Sequence, residues 1–186
     1  MILLEKVWLF FKKPENTNEN YSLKEKTPLF LKLVFLTVCS SLIIGIIIQT
    51  ISTLVGFKQD DHAVVEMFED NSPLVIFLYA VVIAPLVEEL IFRAPLTLFK
   101  NASYFKYAFH ISAILFGIVH ISNFEHLDGF YWLIPILIAP QFFAGIFLGY
   151  TRTKLGLLWS ILLHAAHNLI LMGSFIIMKL LDIPLE

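Results

Sequence analysis

Charge is scarce in this 186-residue chain. Asp, Glu, Lys and Arg make up 15% of it, against about 25% in soluble domains. With 58% hydrophobic residues and a mean hydropathy of +0.80, the deficit excludes an ordinary soluble domain. The net charge of −2 leaves no large basic surface, so no nucleic-acid partner is expected. Cysteine is almost absent: Cys39 stands alone. That excludes an intrachain disulfide framework and an all-cysteine zinc site, and inside an apolar run Cys39 reads as a packed thiol. No His-Glu-x-x-His zinc motif occurs, and no serine stands in a nucleophile-elbow context. The opening "MILLEKVWLFFKK" lacks a basic n-region and a small-residue cleavage site, so it does not read as a cleavable signal peptide. Residues 2–13 read either as a short helix in the membrane interface, with Lys12 and Lys13 reaching headgroups, or as a disordered terminus.

What is present is long apolar runs. Crossing about 30 Å of hydrocarbon takes ~20 helical residues, and five segments are long enough: residues 33–57, 73–99, 107–124, 129–151 and 155–178. None has the alternating pattern of a membrane barrel strand. The expected fold is all-α: a polytopic membrane bundle of about five transmembrane helices plus an N-terminal interfacial helix. Three regions follow: 1–32 as a cytoplasmic N-terminal segment, 33–57 as the first transmembrane helix, and 73–181 as the core. Pro135 and Pro140 are expected to bend the fourth span. With the N-terminus inside, only Lys58 and Lys179 of the thirteen lysines and arginines fall outside. The positive-inside rule therefore predicts a cytoplasmic N-terminus.

Against this background "PLVEELIFRAPL" (residues 85–96) is anomalous. Ionisable groups inside a membrane cost several kcal/mol. Glu89 and Arg93 are i, i+4 neighbours in the favoured order and can pair. Glu88 points about 100° away and has no local partner. It lies roughly 22 Å along the helix from Pro73 and about 16 Å from Phe99, so its partners must come from other helices. His120 in "FGIVH" and His164, His167 and Asn168 in "HAAHN" are the deep polar candidates. His164 and Asn168 share one face, with His167 about 60° to the side of His164. Any one of these alone reads as interhelical glue, and a lone Glu–Arg pair reads as a structural clamp. His62 and His126 read as loop residues, and His110 as interfacial or packed. The combination on three helices points to hydrolysis. A carboxylate and an imidazole can hold and deprotonate a water, while a second imidazole and an amide stabilise an oxyanion. Alternatively, Glu88, His120 and His164 form a three-ligand zinc site with an open position for water.

In order, "EELIFR", "FGIVH" and "HAAHN" fit Glu-Glu-x-x-x-Arg, Phe-x-x-x-His and His-x-x-x-Asn. On successive membrane helices they resemble the CAAX-processing and bacteriocin-processing intramembrane protease family, related to type II CAAX prenyl endopeptidases. The resemblance covers about residues 73–181. It implies an endopeptidase in which Glu88 activates water with His120, and His164 and Asn168 stabilise the oxyanion. Arg93 fixes the glutamate pair through Glu89, and Phe116 packs behind the site. Family members are described both as metalloproteases and as glutamate proteases, so zinc stays open, as does the choice between His164 and His167. With about five spans the chain is shorter than eukaryotic prenyl-protein enzymes. The expected partners are the bilayer and a peptide or membrane-protein substrate, and the expected location is a bacterial cytoplasmic membrane. Two other readings are a non-catalytic scaffold or bacteriocin immunity factor, and a small transporter. A scaffold has no need of intramembrane charge, and a transporter needs a polar path across the whole membrane.

Overall fold

The computed structural model describes residues 2–16, 21–57, 68, 70–99, 103–124 and 127–181. All of the regular elements among them are helical. We number them α1 (Leu3–Lys12), α2 (Leu23–Val55), α3 (Pro73–Phe99), α4 (Phe105–Asn123), α5 (Tyr131–Leu155) and α6 (Leu157–Leu180). The last five are long and apolar enough to cross a bilayer, and the protein is an integral membrane protein. His62, His126 and Lys58 lie outside the described residues.

Helix α2 begins ten residues before the expected span, at Leu23. Hydropathy marks only the apolar part of a helix. Ser22 and Glu25 close a capping box, which satisfies backbone donors at the start and carries the helix through Lys24, Lys26 and Lys32. Between α5 and α6 the chain turns at Gly156, whose φ of +104° is a conformation that side chains with a Cβ avoid.

Helix α3 changes pitch three times. It is α-helical over Pro73–Phe77, π-helical over Leu78–Ile83, α-helical again over Ala84–Phe92 and 3₁₀ over Ala94–Phe99. Pro85 has no N–H to donate back along the helix, and it sits just past the π segment. Pro95 falls in the 3₁₀ turn. Neighbouring helices satisfy the carbonyls freed where the α-helix stops. Ser112 Oγ of α4 donates to Phe92 O at 2.7 Å, and Arg152 Nε of α5 donates to Arg93 O at 3.2 Å. Helix α5 breaks at Ile138 and restarts at Ala139 with Pro140 as its second residue, so the helix is interrupted between the two prolines.

Helices α4 and α5 meet along a seam of small residues, as close helix contacts in membranes require. A Cβ on Gly149 would lie 2.6 Å from the Phe109 ring, and one on Gly145 would lie 3.3 Å from both Ala113 Cα and Arg93 Nη2. Phe109 is 1% exposed and cannot swing away. Gly149→Ala is therefore expected to lower stability by about 1–3 kcal/mol through overpacking, read as a lower unfolding temperature in detergent.

Helix α1 is ordered and docked. Val7 and Phe10 are buried, and Phe10 packs edge-on against Phe109 and Tyr150. His110 Nε2–H donates to Phe11 O at 2.8 Å, so His110 is a packing residue. Leu4, Trp8 and Leu9 stay exposed on α1, the amphipathic pattern of an interfacial helix.

Candidate active site

Glu88, His120, His164 and Asn168 line one cavity of about 560 Å³ between α2, α3, α4, α5 and α6. Tyr79, Gln141 and His167 line it too. Helix α3 contributes the carboxylate from the regular stretch beyond its π turn. Helix α4 contributes His120 at the point where its α-helix ends and a 3₁₀ turn begins. The last carbonyls of a helix lack intrahelical partners, and His120 Nδ1–H donates to Phe116 O at 2.7 Å. That bond places the proton on Nδ1 and leaves Nε2 as the imidazole's lone-pair nitrogen.

Behind the cavity lies a buried ionic layer. Glu89 and Arg93 are fully buried, and Arg93 Nη1 stands 3.5 Å from Glu89 Oε1. The guanidinium lies over the Phe116 ring, 3.9 Å from its centroid, a contact that partly compensates the desolvated cation. Sequence pairing of Glu89 with Arg93 alone understates Glu89, which is a hub. Ser160 Oγ donates to it in a short contact, and His164 Nδ1 meets its Oε1 at 3.2 Å. Ser160 is absent from the sequence reading. It lies one turn before His164 on the face shared with Asn168, so the i, i+4, i+8 series 160–164–168 carried the signal.

His164 links this layer to the cavity. With Nδ1 on Glu89, its Nε2 faces Glu88 Oε2 at 3.7 Å. That is beyond hydrogen-bond range. Glu88 Oε2 is buried without a hydrogen-bond partner, as is Gln141 Oε1. Phe116 sits behind both imidazoles, its ring centroid 4.9 Å from that of His120 and 5.6 Å from that of His164.

His167 and Asn168 are engaged differently from His164. His167 Nε2 is 2.9 Å from Ser41 Oγ of α2, and its Nδ1 is 3.3 Å from Asn168 Oδ1. Asn168 Nδ2 donates to Ala80 O in the π turn of α3 at 2.8 Å. Of the two histidines on α6, His164 is the one in contact with the glutamates.

Glu88, His120 and His164 are the donors that the zinc alternative names. Among the described residues no group of three or more His, Cys, Asp or Glu side chains is placed to hold a metal ion. The arrangement of Glu88, His120 and His164 does not fit one.

Membrane-length helices around a cavity lined by a carboxylate and imidazoles define the class: a polytopic membrane protein with an ionisable cluster inside the bundle. Residues 70–170 match the type II CAAX prenyl endopeptidase Rce1-like family. The chain belongs to this family, and membership implies a peptidase. The matched stretch holds Glu88, Glu89, Arg93, His120, His164 and Asn168, and leaves out α1 and α2. No curated protein and no solved structure gives a match.

Proposed function

We propose that the protein is an intramembrane endopeptidase in which Glu88 and His120 activate a water, and His164 and Asn168 stabilise the oxyanion. One observation carries the reading: Glu88 Oε2 is buried, has no hydrogen-bond partner and faces a cavity shared with both histidines. A buried acceptor left unpaired costs about 1–3 kcal/mol, a cost removed when a water or substrate donates to it. The water donates one hydrogen to Glu88 and the other to His120 Nε2. Glu88 takes its proton as the oxygen attacks the peptide carbonyl carbon, then gives that proton to the leaving amine. With its ring protonated, His164 keeps Nδ1–H on Glu89 and aims Nε2–H at the oxyanion. Asn168 adds an amide N–H. Glu89, Ser160 and Arg93 hold His164 in this orientation. No step passes through a metal.

The unpaired Gln141 Oε1 suits a substrate backbone N–H. Gln141→Leu is expected to raise KM roughly fivefold with kcat unchanged, the effect of one neutral hydrogen bond, read by steady-state kinetics. The lysine and arginine asymmetry supports a cytoplasmic N-terminus, and residues 73–181 form the catalytic core of this reading.

The family's description names prenylated CAAX substrates, so they are the first to try. Purified protein in lipid nanodiscs is incubated with a C-terminally prenylated peptide, its unprenylated counterpart and a mixed peptide library, with and without chelator. Mass spectrometry is expected to find an endoproteolytic product that persists with chelator. Absence of any product supports a non-catalytic scaffold instead, and loss of product only with chelator, restored by zinc, supports a metal site.

A further inference from the structure

Helix α2 lies outside the matched residues 70–170, yet one of its side chains reaches the site. Ser41 is buried, lines the cavity, and meets His167 Nε2 at 2.9 Å. From there a chain of hydrogen bonds runs through His167 Nδ1 to Asn168 Oδ1, and from Asn168 Nδ2 to Ala80 O. It joins α2, α6 and the π turn of α3. We propose that Ser41 and His167 are positioning residues that fix the amide of Asn168 and, through it, the turn leading to Glu88. This rests on the proposed oxyanion role of Asn168.

With a neutral His167 imidazole, only one assignment of hydrogens satisfies every member. Ala80 O is an acceptor, so the Asn168 atom facing it must be the NH₂ group. Oδ1 then faces His167 Nδ1, which must carry a proton, because two acceptors would repel. A neutral imidazole with Nδ1–H has its lone pair on Nε2, and there the Ser41 hydroxyl donates. Reversing the amide sets Oδ1 against the Ala80 carbonyl and breaks the chain at its other end. The serine hydroxyl thus fixes the tautomer, the tautomer fixes the amide, and the amide keeps one N–H on α3. Its second N–H is left for the cavity that Asn168 lines. In a low-dielectric interior each link strengthens the next.

The same groups have the connectivity of a serine nucleophile with its base, and the test separates the two roles. Histidine-¹⁵N NMR of the protein in nanodiscs is expected to show His167 as the neutral Nδ1–H tautomer, with its Nε2 resonance shifted in Ser41→Ala. In peptide kinetics, Ser41→Ala and His167→Phe are each expected to lower kcat about tenfold with little change in KM, within the range set by small misplacements of catalytic groups. Ser41→Thr, which keeps the hydroxyl, is expected to restore kcat. In an Asn168→Ala background, Ser41→Ala is expected to remove nothing further, because it acts through Asn168. If Asn168→Ala is impaired but Ser41→Ala is silent or simply additive to it, the positioning role is overturned and the proposed function stands. If Asn168→Ala alone keeps wild-type kcat, the oxyanion reading fails and this inference falls with it. Covalent labelling of Ser41 by an active-site phosphonate also overturns the positioning role, because it makes Ser41 the nucleophile.

Discussion

Glu88→Gln is expected to lower kcat by about 10²–10⁴-fold, the usual contribution of a positioned general base, while the protein still folds. The substitution keeps the shape of the side chain and removes its capacity to take a proton. It also removes a carboxylate that has no hydrogen-bond partner, so stability should stay at wild-type level or rise. A loss of turnover without a loss of unfolding temperature separates Glu88 from its neighbour. Glu89 accepts from Ser160 and His164 and faces Arg93, so Glu89→Gln should lower both. Thermal unfolding and initial rates on the same nanodisc preparations check the contrast.

Arg93→Met is expected to destabilise the protein by about 3–5 kcal/mol, the penalty for leaving one member of a buried ion pair uncompensated. Arg93 is 0% exposed and its guanidinium packs on Phe116. The Glu89 carboxylate stays buried, with Ser160 and His164 as hydrogen-bond partners but no opposite charge from Arg93. Removing both charges, with Glu89→Leu added, should recover much of the loss, since apolar residues can replace a buried pair. Activity should not return in the double variant, because His164 loses the carboxylate that holds its Nδ1. Chemical denaturation in mixed micelles measures the first effect. Recovery of stability in the double variant marks Arg93 as the brace of the buried Glu89 charge.

The carboxylates and histidines were legible in the sequence because apolar helices make each polar residue conspicuous. Glu88 had no partner within one turn, and that single fact pointed across the bundle to His120 and His164. The serines were not legible. Ser160 and Glu89 are 71 positions apart, and Ser41 and His167 are 126 apart. A lone serine in a membrane helix can satisfy itself on a backbone carbonyl, so nothing in the sequence marks these two. Asn168 was legible as a site residue, but its commitment to Ala80 was not, because it depends on the π turn. Pro85 hinted at an irregular helix without indicating its pitch. The zinc alternative rested on suitable residue types carried by three different helices. Three suitable donors in one cavity are not three donors converging on one point, and that distinction exists only in three dimensions.

The most direct measurement is single-turnover cleavage of a defined peptide in H₂¹⁸O, comparing wild type with Glu88→Gln in nanodiscs. Attack by the water that Glu88 deprotonates predicts one solvent ¹⁸O in the new C-terminal carboxylate of the wild-type product. It also predicts almost no product from a Glu88→Gln protein that melts at the wild-type temperature or above. Cleavage by Glu88→Gln at the wild-type rate would contradict the assignment of Glu88 as the hydrolytic base.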